Sequence, residues 1–238
     1  MKISLPSVVL WEFFAYNEKQ NGTVMQKEFL IRSYQPSDRQ RLRKISYETA
    51  FFDQPQKFSD DEEIISDALT IYFTDFTPES CWVVCLGQEV IGYLIGTRDV
   101  IRMKSVFIQK IGPCLFLKAL RKGYFLKGKS FHFCFRAFKS LIKGEFRVPN
   151  FSNEYPAAFH VNITGPFRGS HLGTELVEHF CDYLKKNRIH GVQISTMSDK
   201  AKSFYEKLGF GTLYAGRRSF LHYQMGFDVP IYILGKKF

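Results

Sequence analysis

Apolar and polar positions along this chain of 238 residues change period several times, and each change marks an element. Residues 26–34, QKEFLIRSY, are rich in apolar and aromatic side chains and predict a strand. Pro36-Ser37-Asp38 then signals a helix start with Ser37 as cap, and Leu42, Ile45 and Phe52 in RQRLRKISYETAF are spaced for one helical face. A second start follows at Ser59-Asp60-Asp61-Glu62. There Ser59 caps, and three acids sit at the positive end of the helix dipole ahead of Ile64, Ile65, Ala68 and Leu69. Past Pro78, CWVVCLGQEVIGYLIG reads as two strands joined by a tight turn at Gly87-Gln88.

From Tyr155 the pattern alternates between period two and period 3.6. It predicts a strand over 157–164, a helix over 170–186, a strand over 192–196, a helix over 199–208 and closing strands in GFGTLYAG and DVPIYILG. Strands interleaved with helices imply a mixed α/β sheet in one domain, residues 25–238. Residues 1–24 show no sustained period, end in the loop-like NEKQNGT and read as an appendage, with Met25 standing as an alternative start. Between hairpin and alternating part lies an insertion of about residues 99–153. Its Leu115, Phe116, Leu120, Phe131, Phe135, Phe138 and Ile142 have helical spacings interrupted by glycines, which predicts two or three short amphipathic helices.

Composition adds little until charge is located. A hydrophobic share of 45% suits a soluble domain with a sizeable core. The apolar run LPSVVLWEFFAY is broken by Pro6 and Glu12, is too short to span a bilayer and lacks a signal-peptide cleavage site. Five cysteines, an odd number without a Cys-x-x-Cys pair, fit a reducing cytoplasm, and Cys81 and Cys85 on one strand face read as buried thiols. Residues 99–150 hold twelve Lys or Arg against Asp99 and Glu145, a net +10 that equals the charge of the whole chain. Basicity is therefore local, which argues against general nucleic-acid binding. Thr164, Ser170 and Ser203 lack a His/Asp constellation, and the six histidines lack metal-ligand spacing, so neither a serine hydrolase nor a metal site is indicated.

The stretch NITGPFRGSHLGTELVEHF, residues 162–180, carries the clearest chemistry. A strand that runs through a glycine-containing turn into a helix start aims unpaired backbone N–H groups and the positive dipole end at one spot, an anion site. FRGSHLGTELVEHF resembles the acetyl-coenzyme A loop of the GNAT superfamily of N-acetyltransferases, Arg or Gln, two residues, Gly, one residue, Gly or Ala. SDKAKSFYEKLGF resembles the superfamily's second signature, and EYPAAFHVNITGPFRGSHLG with GQEVIGYLIG resembles a subgroup related to the acetyltransferase-like domain of O-GlcNAcases.

The resemblance, over roughly residues 28–235, implies a GNAT fold: a mixed, mostly antiparallel sheet flanked by helices, with the basic helical insertion before the phosphate-loop strand. It implies acetyl-coenzyme A as co-substrate without a metal, and a primary amine as acceptor. Val161 and Ile163 would pair with the pantetheine arm; Arg168, Gly169, Ser170, His171, Leu172, Gly173 and Thr174 would hold the pyrophosphate; Tyr205 would protonate the departing thiolate. Ala157 stands where some members carry a glutamate base, which leaves His160 or Asn162 as base or water-positioning group, with Glu79 and Glu154 flanking. By the family's layout the basic segment forms a wall of the acceptor cleft that favours an anionic acceptor, with Phe116, Phe131, Phe135 and Phe138 packed down and Lys and Arg outward. Two alternatives stand beside the enzyme: a GNAT-like binding module without chemistry, and a peripheral binder of an anionic surface through the insertion.

Overall fold

The computed structural model of the chain describes residues 12–20 and 23–238, with side chains from Phe29 onward. Strands β1 (Glu12–Gln20), β2 (Thr23–Ser33), β3 (Cys81–Leu86), β4 (Glu89–Thr97), β5 (Ala157–Ile163), β6 (Gly191–Thr196), β7 (Gly211–Arg218) and β8 (Val229–Lys237) form one sheet in the order β1-β2-β3-β4-β5-β6-β8-β7. Neighbours are antiparallel except β5 and β6. The sheet begins earlier than the sequence pattern implies: Glu12–Gln20, inside the segment read as an appendage, pairs with β2 from Glu12↔Ile31 to Gln20↔Thr23. EFFAYNEKQ lacks clean alternation, so periodicity does not reveal this strand.

Helices α1 (Arg39–Glu48), a four-residue turn α2 (Ala50–Asp53) and α3 (Glu62–Phe76) follow β2. The insertion contributes α4 (Val100–Val106), α5 (Gly112–Arg121) and α6 (Gly128–Ile142), and the remainder contributes α7 (Leu172–Lys186), α8 (Asp199–Lys207) and the short α9 (His222–Met225). Strand alternation divides the core. Trp82, Val84, Ile91, Leu94 and Phe159 meet Leu172, Leu176, Phe180 and Leu184 of α7 on one face; Val83, Cys85, Tyr93 and Ile95 meet Leu42 and Ile45 of α1 and Tyr72 and Phe73 of α3 on the other. Phe180 is fully buried between the rings of Trp82, Phe159 and Tyr183, so truncating it to Ala would cost roughly 3–5 kcal/mol. Cys81 is buried as anticipated, and burial pushes its thiol up to about 12.

Two helix starts differ in detail from the pattern. Asp38 rather than Ser37 closes the first, its carboxylate accepting from the Gln35 N–H at 2.8 Å and from both Arg32 guanidinium nitrogens. Asp61 rather than Ser59 caps α3, accepting from the Ile64 N–H at 3.0 Å, while the Ser59 hydroxyl sits 2.9 Å from that of Tyr124. α1 stops at Glu48, and Phe51, Phe52 and Asp53 all take left-handed φ (49°, 60° and 62°), so Phe52 leaves the α1 face. Side chains hold this costly run: Phe51 packs on Phe58 and Phe133, and Asp53 grips Arg168.

The insertion is clamped onto α3 by charge. Lys118 lies 2.5 Å from both Glu63 and Asp67, Lys122 contacts Glu63 and Asp61, and Lys127 lies 3.8 Å from Asp61. Asp67, almost fully buried, also faces Arg43 at 2.5 Å, an ion pair whose angle falls outside hydrogen-bond geometry. This reverses the arrangement read from the sequence: several lysines face inward, and Phe116, Phe131, Phe135 and Phe138 are exposed. Hydrogen bonds from Lys118 and Lys122 hold the Glu63 carboxyl down at about 2. A depressed carboxylate favours the native state above its ordinary pKa near 4.5, and that contribution is lost as pH falls toward 2. Removing the buried charge should matter more: Asp67→Asn takes the carboxylate from Arg43 and leaves Lys118 with Glu63 alone, and should lower unfolding free energy by roughly 3 kcal/mol in a denaturant titration. An unchanged midpoint would show that the clamp is not structural.

Candidate active site

β5 and β6 pair only at Ala157↔Val192 and Ala158↔Gln193. Beyond that point β5 stays on β4 through Ile163 and β6 stays on β8 through Thr196, so the sheet splits. The Thr164 N–H donates to the Ile91 carbonyl at 2.9 Å, which sets the alternation: even-numbered β5 residues bond to β4, and the Phe159 carbonyl and the backbone groups of Val161 and Ile163 face the split. Val161 and Ile163 are the two residues singled out in the sequence.

At the open end the chain runs through the turn Gly165–Phe167 into α7. Gly169 has φ +88°, a conformation that strains any residue with a Cβ, and His171 caps α7 from the left-handed region at φ 63°, which histidine tolerates better than most. Neither backbone nor side chain accepts from the amides of Gly169, Ser170, His171, Leu172 and Gly173 among the described residues. Five consecutive free donors at the start of a fifteen-residue helix form an anion cradle.

The cradle is narrower than the sequence implied. The Arg168 and Thr174 amides donate to the Gly165 and His171 carbonyls, and the Ser170 hydroxyl donates to the Phe167 carbonyl. The Arg168 guanidinium grips both Asp53 oxygens at 2.6 and 2.7 Å, and its Nε donates to the Ile163 carbonyl at 2.9 Å. Arg168 thus braces the loop. Leu172 anchors it, buried in the core.

His160 and Asn162 leave β5 on the face opposite Phe159. Asn162 donates to the Tyr93 hydroxyl at 2.7 Å, which fixes its side chain. The His160 ring stands edge to face with Phe73, has no hydrogen-bond partner among the described residues and opens into a cavity of about 280 Å³. Leu69, Tyr72 and Phe73 of α3 line that cavity with Met103, Phe107 and Ile108 of the insertion. His160 is exposed at this cavity, and the protein packed beside its ring still lowers its pKa below the ordinary 6.5 by desolvation. The sequence reading placed Ala68 and Leu69 on the apolar face of this helix but assigned none of the α3 lining residues to a site, although Tyr72 and Phe73 continue the stripe begun at Ile64 and Ile65.

Tyr205 lies on the other face, packed on Phe159, Phe204 and Phe210. Its hydroxyl has no protein partner among the described residues, and burial raises its pKa well above the ordinary phenol value. Ala157 is fully buried against α7, so a carboxylate there would sit in the core. Glu79 and Glu154 pair with Arg98 and Lys237 and are not brought to the split. Among the described residues no group of three or more His, Cys, Asp or Glu could hold a metal.

Residues 144–210, which hold the split strand, the cradle and Tyr205, match the family model described as Acetyltransferase (GNAT) family. The chain has the GNAT fold. Over 88% of its length it superposes on 98% of a protein named SsHAT, with 22% identity and a TM-score of 0.63. It is similar, with 12% identity and a TM-score of 0.55, to a polyamine N-acetyltransferase of Drosophila melanogaster, covering all of that chain. It is also similar to the yncA protein of Salmonella typhimurium, solved with its cofactor acetyl-CoA, at 12% identity, a TM-score of 0.52 and 93% of that chain. No curated protein matches the sequence. These comparisons do not show the relation to O-GlcNAcase-type domains read from the sequence.

The cradle can be tested without knowing the reaction. A Cβ at Gly173 would meet only Phe204, at an ordinary 3.6 Å, so Gly173→Ala should fold normally. Gly173→Asp places a negative side chain at the positive helix end and should abolish the thermal stabilisation that acetyl-CoA gives the parent protein. A full shift in the Asp variant would remove the cradle from consideration.

Proposed function

We propose that the protein is an acetyl-CoA-dependent N-acetyltransferase acting on a primary amine. The observation that supports this reading most is the union, at one split in the sheet, of free strand groups, a five-amide cradle and an unpaired imidazole. The residues fit the co-substrate: the cradle suits a pyrophosphate, and the β5 edge offers donors and acceptors to an amide-bearing arm. When bound, acetyl-CoA supplies an activated acetyl thioester. His160, favoured neutral by desolvation, takes the proton of the ammonium, and Asn162 fixes the neighbouring strand face. Tyr205, held protonated, donates to the thiolate as it departs.

The cavity in front of His160 suggests the acceptor class. Its lining includes Lys104 but no carboxylate, so a second ammonium group would lack a partner and meet a like charge. Lys118, Lys122 and Lys127, expected to form a wall for an anionic acceptor, are engaged by α3. A monoamine with an apolar tail is the better match.

With free thiol as readout, 2-phenylethylamine should exceed spermidine and agmatine by at least about tenfold in kcat/KM. A preference for the polyamines would refute the acceptor class while leaving the transferase, and thiol release with no amine would refute the transferase. His160→Gln should lower kcat about 10²-fold. Because His160 works neutral and its pKa lies below 6.5, the acid limb of the parent's rate profile should lie below pH 6.5, with activity lost as pH falls, and should vanish in the variant. Tyr205→Phe should lower kcat about 10²-fold with an unchanged acetyl-CoA melting shift; wild-type turnover would assign Tyr205 to packing alone.

A further inference from the structure

We propose that the exposed face of the insertion docks on an anionic lipid bilayer, seating the protein on a membrane surface. α6 has three distinct sides. Ser130, Phe133, Cys134 and Ala137 point into the fold. Phe131, Phe135, Phe138 and Ile142 recur at i, i+4, i+7 and i+11 and are 51%, 47%, 58% and 70% exposed, with Phe131 and Phe135 stacked on each other. Arg136, Lys139 and Lys143 occupy the third side. An aromatic stripe bordered by a basic one, both facing away from the core, is the pattern of a helix lying in a membrane interface.

The neighbouring helices repeat it. Phe116 and Leu120 of α5, Leu126 in the turn before α6 (91% exposed) and Ile101 of α4 are all uncovered. Large exposed apolar areas of this kind mark interaction surfaces rather than ordinary solvent faces.

Charge selects the occupant. Lys118, Lys122, Lys127 and Lys129 are engaged by carboxylates of the 60–67 segment. Arg102, Lys104, Arg121, Arg136 and Lys139, by contrast, have no carboxylate partner among the described residues. A second copy of the chain would bring the same unpaired cations face to face, which is unfavourable in an isologous contact. Anionic headgroups would neutralise them while the phenylalanines enter the acyl boundary. No helix among the described residues is long and apolar enough to cross a membrane, so the contact is interfacial. Phe107 and Ile108 line the mouth of the His160 cavity and belong to the exposed set, so docking would bring that mouth to the bilayer.

Cosedimentation with vesicles tests the proposal. The full chain should sediment with phosphatidylcholine vesicles containing phosphatidylserine, poorly with phosphatidylcholine alone, and less as salt rises. Phe131→Ser, Phe135→Ser and Phe138→Ser together should lower partitioning at least about tenfold, with an unchanged denaturation midpoint because these rings are already exposed. Arg102→Gln, Arg121→Gln and Lys139→Gln together should remove the preference for phosphatidylserine. Equal sedimentation of wild type with both vesicle types, no sedimentation at all, or full binding by the serine variant would overturn the proposal. So would a wild-type dimer in light scattering that the serine variant loses. If the serine variant fails to fold, the wild-type salt series and the glutamine variant decide.

Discussion

A ladder left unmade is the constraint on which the candidate site depends. β5 and β6 part after two residue pairs, which leaves the Phe159 carbonyl and the backbone groups of Val161 and Ile163 directed into a gap. An unsatisfied backbone group costs about 1–3 kcal/mol once water is excluded, so the gap stays wet or takes a ligand with its own amides. Arg168 meets part of this demand by donating to the Ile163 carbonyl, and its other nitrogens reach Asp53 in the left-handed run after α1. The strained loop and the split strand therefore share one guanidinium. The cradle continues the same logic, since its five free amides follow directly from a helix that starts where the split strand ends.

The insertion obeys a different balance. An ordinary amphipathic helix buries its apolar stripe and leaves its charges in water. Here α3 presents Asp61, Glu63 and Asp67 to the insertion, and lysines rather than phenylalanines make much of the contact. Burial of the Asp67 carboxylate requires cations beside it, and Arg43 and Lys118 supply them from two different segments. On α6 the inward side is Ser130, Phe133, Cys134 and Ala137, which leaves the 131/135/138/142 stripe to face outward.

The alternation of strands and helices, the hairpin turn, the buried Cys81 and Cys85 and the position of the cradle were legible because each rests on local periodicity or on a turn residue whose conformation is local. Ser59 failed as a cap because Asp61 competes two residues later with a stronger, charged acceptor, whereas at the first start Asp38 accepts from the Gln35 N–H ahead of the helix and Ser37 makes no capping bond. The orientation of the insertion was not legible at all. Which side of α6 faces inward depends on Phe58, Phe220 and Tyr124, which receive Phe133, Ala137 and Cys134 from elsewhere in the chain, and no period within FHFCFRAFKSLI records them. The cavity before His160 was hidden for the same reason, since three segments distant in sequence meet there.

Two titratable groups on opposite faces of one strand give the site its direction. His160 projects toward α3 and Tyr205 packs beneath Phe159 on the α7 side, so neither needs to touch the other. Desolvation acts on both, through burial at Tyr205 and through the protein packed beside an exposed His160, with opposite consequences, because it disfavours whichever form is charged. For the imidazole the charged form is the protonated one, and desolvation favours a neutral nitrogen able to accept a proton. For the phenol the charged form is the anion, and desolvation favours a hydroxyl able to give one. A single physical effect, applied across a strand whose residues alternate in direction, thus favours a neutral imidazole on the side of the open cavity and a protonated phenol on the side of the helix that carries the anion cradle, as the proposed base and acid require.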